Sequence, residues 1–327
     1  MRPFFRYSTR LNSFRARPDL FTWQSSPRST LDLIARAGQV ATLDSVELNY
    51  PEHFVNHSLT EIQDALAKTH LTVSGINLRY DAAQFLDGGF INPQPAKRAD
   101  AIALTCEAID LCHQLGGKHV VVWPAYDGFD YPFAVDYAQS WQWTLDALQA
   151  IANHAANYAG ELSVSIEYKP CEPRKFSLLG TIGLTLLAIE ESATPLGVTL
   201  DFSHLLMAGE HPALSAALCI RKNKLFGIHL NDGYGQLDDG LLVGSVHFAQ
   251  TLELIDLLVK AKYSGVIYFD TFPMREDPVQ ECLANVQRVE QMVALCARLD
   301  HKHLQEAINQ QDGFAANVHV WETLLKK

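Results

Sequence analysis

Eight short apolar runs alternate with helical segments along nearly the whole of this 327-residue chain. The strand candidates are residues 5–11, 45–50, 72–78, 119–123, 162–168, 197–202, 225–230 and 265–269. Several are continuous apolar runs, as expected of strands covered on both faces. Between them lie helical patterns at 31–37, 59–68, 96–115, 138–158, 181–191, 212–221, 246–262 and 278–299. Their stop signals are plain: Gly116-Gly117 follows the third, Gly160 the fourth, Pro195 the fifth and Gly265 the seventh. Ser58 or Thr60 caps the second. Parallel neighbours cannot be joined by a tight turn, so this alternation demands a parallel sheet with helical crossovers.

Eight repeats favour closure into a TIM (β/α)8 barrel over an open doubly wound sheet. No GxGxxG or P-loop follows the first strand, which argues further against a nucleotide-binding sheet. The barrel is expected over residues 1–299. Residues 300–327 form a C-terminal helical extension, either wrapped on the barrel or in contact with a neighbouring subunit. The net charge, 26 − 37 = −11, excludes nucleic acid or an anionic membrane surface as a natural partner. No run of about 18 apolar residues occurs, and the first fourteen residues lack the apolar core of a signal peptide. The six cysteines form no CxxC pair. They read as reduced thiols in a cytoplasmic protein.

Four of the strands end in a residue able to hold a metal: Glu167, Asp201, His229 and Asp270. The gaps of 34, 28 and 41 residues are each close to one βα unit. The carboxyl ends of barrel strands converge on one face, so these side chains meet at one mouth. A single polar strand end has an ordinary explanation; four in register have a common one. Three carboxylates and an imidazole suit a divalent cation, the imidazole shifting preference from Mg²⁺ toward Mn²⁺, Co²⁺ or Zn²⁺. A second set lies beside the first: His204, three residues after Asp201, and Asp238 and Asp239 in the loop after the seventh strand. It supplies ligands for a second ion, in the geometry that clamps two oxygens of one substrate. Lys169 shares a face with Glu167 in an extended run and can donate to a substrate oxygen at the metal. Glu172 and Arg174 form either a wall salt bridge or, for Arg174, a contact to substrate or neighbour. Trp123 ends the fourth strand and offers an apolar face to a sugar ring. Two long loops, residues 79–96 and 124–132, follow the third and fourth strands and belong to the same face.

These residues carry a resemblance. Glu167-x-Lys169-Pro170-x-Glu172-Pro173-Arg174, Phe85-Leu86-Asp87-Gly88-Gly89-Phe90 and Val122-Trp123 resemble segments of xylose isomerase. Asp201-Phe202-Ser203-His204, the loop ending in Asp238-Asp239, and Phe269-Asp270 look closer to L-rhamnose isomerase. The chain thus resembles the xylose isomerase-like superfamily of sugar isomerases and epimerases. The resemblance implies a structural metal on Glu167, Asp201, His229 and Asp270. It implies a catalytic metal sharing Asp201 or Glu167 with His204 and Asp238 or Asp239, and Lys169 polarising the carbonyl of an open-chain aldose. Glu167, His204 and Asp270 join Lys169 as catalytic candidates. Where xylose isomerase has a ring-opening histidine, only His53 can serve, and Arg79 stands in place of an aromatic after the third strand. The expected protein is an aldose–ketose isomerase of free monosaccharides, a homodimer or homotetramer holding one or two divalent ions, Mn²⁺ first. The alternatives are a ketose 3-epimerase and a metal-dependent polyol or inosose dehydratase. Asp270, a methylene shorter than the Glu of ketose 3-epimerases, favours the isomerase.

Overall fold

The chain is described here by a computed structural model covering residues 3–23, 29–80 and 82–325. Eight strands form one parallel sheet: β1 (Arg6–Thr9), β2 (Ser45–Tyr50), β3 (Thr72–Leu78), β4 (His119–Val122), β5 (Ser163–Glu167), β6 (Gly197–Asp201), β7 (Leu225–Leu230) and β8 (Val266–Phe269). From β2 on each pairs with the next in order, and β8 pairs with β1. The seam between β1 and β2 is thinner. A parallel bridge from Arg10 to Glu47 and hydrogen bonds between Tyr7 and Asp44 complete the circle there.

The principal crossovers are α1 (Thr30–Ala37), α2 (Leu59–Ala67), α3 (Pro95–Gln114), α4 (Tyr137–Ala155), α5 (Ile182–Glu191), α6 (Pro212–Arg221), α7 (Phe248–Lys260) and α8 (Pro278–Cys296). Local chemistry fixes their starts. Ser29 with Asp32, and Ser58 with Glu61, form capping boxes that satisfy otherwise orphaned amides at the heads of α1 and α2. Asp136 and Asp277 do the same for α4 and α8. After α8 the chain folds into two further helices, α9 (His301–Asn309) and α10 (Gly313–Leu325). Arg298 donates to the Thr323 carbonyl at 2.7 Å, tying α10 back to the end of α8. No helix among the described residues is long and apolar enough to cross a membrane.

One expectation from the sequence is corrected inside the barrel. The outer faces of the strands are apolar and buried under helices, with Val164 and Ile166, Val198 and Leu200, Ile228 and Leu230 alternating along them. The inner face is polar rather than apolar. Ser165 meets His119 Nε2 at 2.7 Å and Thr199 at 2.6 Å, while Ser74 donates to Ser8 at 2.8 Å and to Glu47 at 3.2 Å. The strands therefore keep the two-residue alternation of a sheet with unlike faces, and Ser8, Ser74, Ser165 and Thr199 find partners across the lumen.

Candidate functional site

At the carboxyl ends of the strands lies a cavity of about 380 Å³, lined by Arg10, Asn12, Asn49, Glu52, Arg79, Trp123, Glu167, Lys169, His204, Asp238, Asp270 and Phe272. Its floor is built by strand register. Glu167 is the last residue of β5, Asp201 the last of β6, and Asp270 follows β8. His229 lies on β7 directly opposite Asp201. Ligand atoms of Glu167, Asp201, His229 and Asp270 all fall within 4.8 Å of one another, and all four residues are buried.

Asp201 has a second task. Its Oδ1 accepts the His204 amide at 3.1 Å and so caps the short helix Phe202–Met207. That cap explains the Asp-x-x-His spacing: it brings His204 over the floor. Atoms of Asp201, His204 and Asp238 again lie within 4.8 Å of one another. His204 Nε2 is 3.2 Å from Asp238 Oδ2, and Lys169 Nζ donates to the same oxygen at 3.0 Å. The lysine also meets Glu172 at 3.0 Å and lies 5.4 Å from the centre of the Trp123 ring.

The electrostatics follow from crowding acids and imidazoles in a buried space. Burial and the neighbouring carboxylates push Asp201 up to about 7, against the pull of His204. Burial likewise raises Asp270, opposed by Arg10 and His229. For Glu167 the balance reverses: burial pushes it up, but His229 and then His204 pull it down further, to about 2. Burial disfavours charge on the imidazoles, yet the surrounding carboxylates win and lift both His204 and His229 to about 9. Lys169 is pushed down by burial and lifted more by Asp238 and Glu172, so it stays an ammonium.

These residues fit a divalent cation. Both ring nitrogens of His229, Oδ1 of Asp270 and Oδ1 of Asp238 are buried without a hydrogen-bond partner. His229 Nδ1 approaches Glu167 Oε1 at 3.3 Å as an ion-pair contact without hydrogen-bond alignment. Each such orphan costs about 1–3 kcal/mol, and a cation removes that cost at the carboxylate oxygens and at the one His229 nitrogen that carries a lone pair. Three carboxylates and one imidazole in the first set, and two carboxylates and one imidazole in the second, are donor sets suited to a divalent cation.

Three expected site residues lie elsewhere. His53 is buried behind the wall, where its Nδ1 accepts the Asn49 amide at 2.9 Å and its Nε2 lies 3.0 Å from Asn12 Oδ1. The turn Glu52–Phe54 folds the imidazole back onto the strand end and out of the cavity. Arg174 pairs with Asp130 at 2.8 Å and with the Leu86 carbonyl, bracing loops at the rim; Glu172 goes to Lys169 instead. Asp239 accepts the Tyr234 amide at 2.7 Å and closes its own loop, leaving Asp238 to face His204. Trp123 does line the cavity, but its ring is met by two cations, Lys169 and Arg79, the latter 5.2 Å away. Arg10, Asn12, Asn49 and Glu52 line the cavity without having been singled out. The signal was present, because Arg10 follows the first strand and Asn49 shares the inward face of Glu47.

Residues 31–299 match the family model described as xylose isomerase-like TIM barrel. The xylose isomerase of Thermus thermophilus is 31% identical over 239 residues, 72% of this chain and 62% of that protein. The xylose isomerase of Thermus caldophilus is 31% identical over 218 residues, 65% and 56% of the two chains. The match thus spans less than two thirds of either relative. Among solved structures, D-allulose 3-epimerase from Methylomonas sp. in complex with D-allulose superposes with a TM-score of 0.67 at 18% identity, over 89% of this chain and 98% of that one. The IOLI protein, solved with a zinc atom, gives 0.62 at 16% identity, over 89% and 97%. With the fold, the matched span and the identity in agreement, the chain belongs to the xylose isomerase-like TIM-barrel family.

Proposed function

We propose that this chain is a divalent-metal-dependent aldose–ketose isomerase acting on an open-chain monosaccharide. One observation carries the reading: two carboxylate–imidazole sets share Asp201 at a single mouth, with the Lys169 ammonium anchored beside them. Glu167, Asp201, His229 and Asp270 would hold one ion, and Asp201, His204 and Asp238 a second. When bound, such cations supply Lewis-acid polarisation and a template for two adjacent sugar oxygens. The xylose isomerases at 31% identity support the isomerase over the epimerase.

The chain's own residues do the rest. In the aldose-to-ketose direction the C2–H bond breaks and a C1–H bond forms. C1 is reduced as C2 is oxidised, and the O2 proton passes to O1, so no outside redox partner is needed. Negative charge develops on O1. Lys169, held by Asp238 and Glu172, is placed to donate to that oxygen as the charge grows. Trp123 and Phe272 narrow the cavity walls and limit water around the reacting carbons.

The test is direct. Protein dialysed against EDTA and reconstituted with Mn²⁺ or Co²⁺ is assayed against pentoses, hexoses and deoxyhexoses in H₂O and in D₂O. The expected result is aldose–ketose exchange that needs the metal. Solvent deuterium at C1 of the ketose, or at C2 of the aldose in the reverse direction, would mark an enediol route, and its absence a hydride shift. Exclusive C3 epimerisation of ketoses, a dehydrated product, or full activity without metal would sink the proposal.

A further inference from the structure

The cavity's charges are not all spoken for. Glu52 is engaged by Arg15 at 3.1 Å and by the amides of Asn12 and Asn49. Lys169 is engaged by Asp238 and Glu172. Arg10 and Arg79 differ. Arg10 Nε lies 3.4 Å from Asp270 Oδ1 without hydrogen-bond alignment and is a buried donor with no partner. The Arg10 guanidinium sits 4.6 Å over the Phe272 ring, with a quarter of its side chain exposed into the cavity. Arg79 lies against Trp123, and among the described residues no carboxylate is hydrogen-bonded to it.

Loading the site makes the imbalance larger. Glu167, Asp201, Asp238 and Asp270 carry −4 when ionised, which two divalent ions cancel at +4. Arg10 and Arg79 then remain as two unmatched positive charges on the same cavity, about 380 Å³ in volume. A neutral sugar offers them only hydroxyls. A guanidinium fork instead matches carboxylate and phosphate oxygens in pairs, and a desolvated cavity strengthens that match.

We propose that the sugar handled at this site carries an anionic group, a carboxylate or a phosphate, and that Arg10 and Arg79 hold that group. This inference rests on the isomerase reading of the same site and narrows its substrate class. Arg10 follows β1, next to the strand that leads into Asp270, and Arg79 follows β3.

Calorimetric titration of the Mn²⁺-loaded protein tests it. D-glucuronate and D-galacturonate are compared with D-glucose and D-galactose, and D-ribose 5-phosphate with D-ribose. One anionic series is expected to bind at least about tenfold tighter than its neutral parents, the scale of one charge-assisted hydrogen bond. Arg79→Gln and Arg10→Gln, checked for folding by circular dichroism, should each erase most of that advantage, read as the ratio of anionic to neutral affinity in the same variant. The series that gains tells carboxylate from phosphate. Equal binding of anions and parents, or an advantage untouched by both substitutions, overturns the anion inference alone. Failure of every sugar to bind the loaded protein overturns it together with the isomerase reading.

Discussion

Gly227 stands two residues before His229 on the inward face of β7, and a side chain there would enter a filled layer. A Cβ at this position falls well inside contact distance of Thr199 Oγ1 and 2.7 Å from His119 Cε1. Thr199 cannot swing away freely, since its hydroxyl is hydrogen-bonded to Ser165, which in turn meets His119. Forcing one methyl into such a layer costs about 1–3 kcal/mol. Against this, alanine loses less chain entropy on folding than glycine, which returns roughly 0.4–1 kcal/mol. Gly227→Ala should therefore be destabilised by about 1–2 kcal/mol net, read as a lower urea midpoint at unchanged slope. A double-mutant cycle isolates the cause. Thr199→Ala alone costs stability by removing one of the two hydrogen bonds of Ser165, but combined with Gly227→Ala it should cost less than the two summed, by about 1 kcal/mol. Additive effects, or a Gly227→Ala midpoint equal to wild type, would refute the filled-layer argument.

Three other outcomes are expected. Lys169→Met should cut turnover at least about 100-fold while sugar affinity changes little, because the ammonium acts on charge that develops during reaction; an unchanged rate removes Lys169 from the chemistry. Mn²⁺ at about 100 times its dissociation constant should stabilise the wild type by roughly 2.7 kcal/mol, and Glu167→Gln should abolish most of that gain in a thermal or urea experiment; equal gains in both proteins would contradict the proposed ligand set. His53 supplies a pH test. Burial, only partly offset by Glu52, pulls it down to about 4. Between pH 6.5 and 4 the unfolded chain takes up a proton that the native imidazole refuses, so stability falls with pH across that window, by up to about 3 kcal/mol. His53→Gln should flatten this part of the profile, and an unaltered slope would show that His53 is not the group refusing the proton.

The barrel and the floor of its cavity were legible because both rest on strand ends. A residue that closes an apolar run is carried to the mouth whatever the loops do, which is why Glu167, Asp201, His229 and Asp270 converge as their spacing suggests. Residues further into loops were not legible in the same way. Arg174, Asp239 and His53 satisfy nearby backbone or side-chain groups first, and the loop geometry that decides this has no period to read. Asp239 lost to Asp238 because Tyr234 offered an amide within reach. The polar lumen was written in Ser163-Val164-Ser165-Ile166-Glu167, where a two-residue alternation sits inside a run that otherwise reads as continuous and buried.

The lining side chains divide by strand number. Arg10, Asn12, Asn49, Glu52, Arg79 and Trp123 come from β1–β4 and the turns after them, whereas Glu167, Lys169, His204, Asp238 and Asp270 come from β5–β8. The two halves of the barrel therefore hold separate trades. Under the proposed function, exchange of loops in the first half should change which ligand is accepted while the metal-binding half stays intact. Chimeras cut between β4 and β5 would separate, under the proposed function, the half that meets the ligand's far end from the half that holds the metal-binding sets.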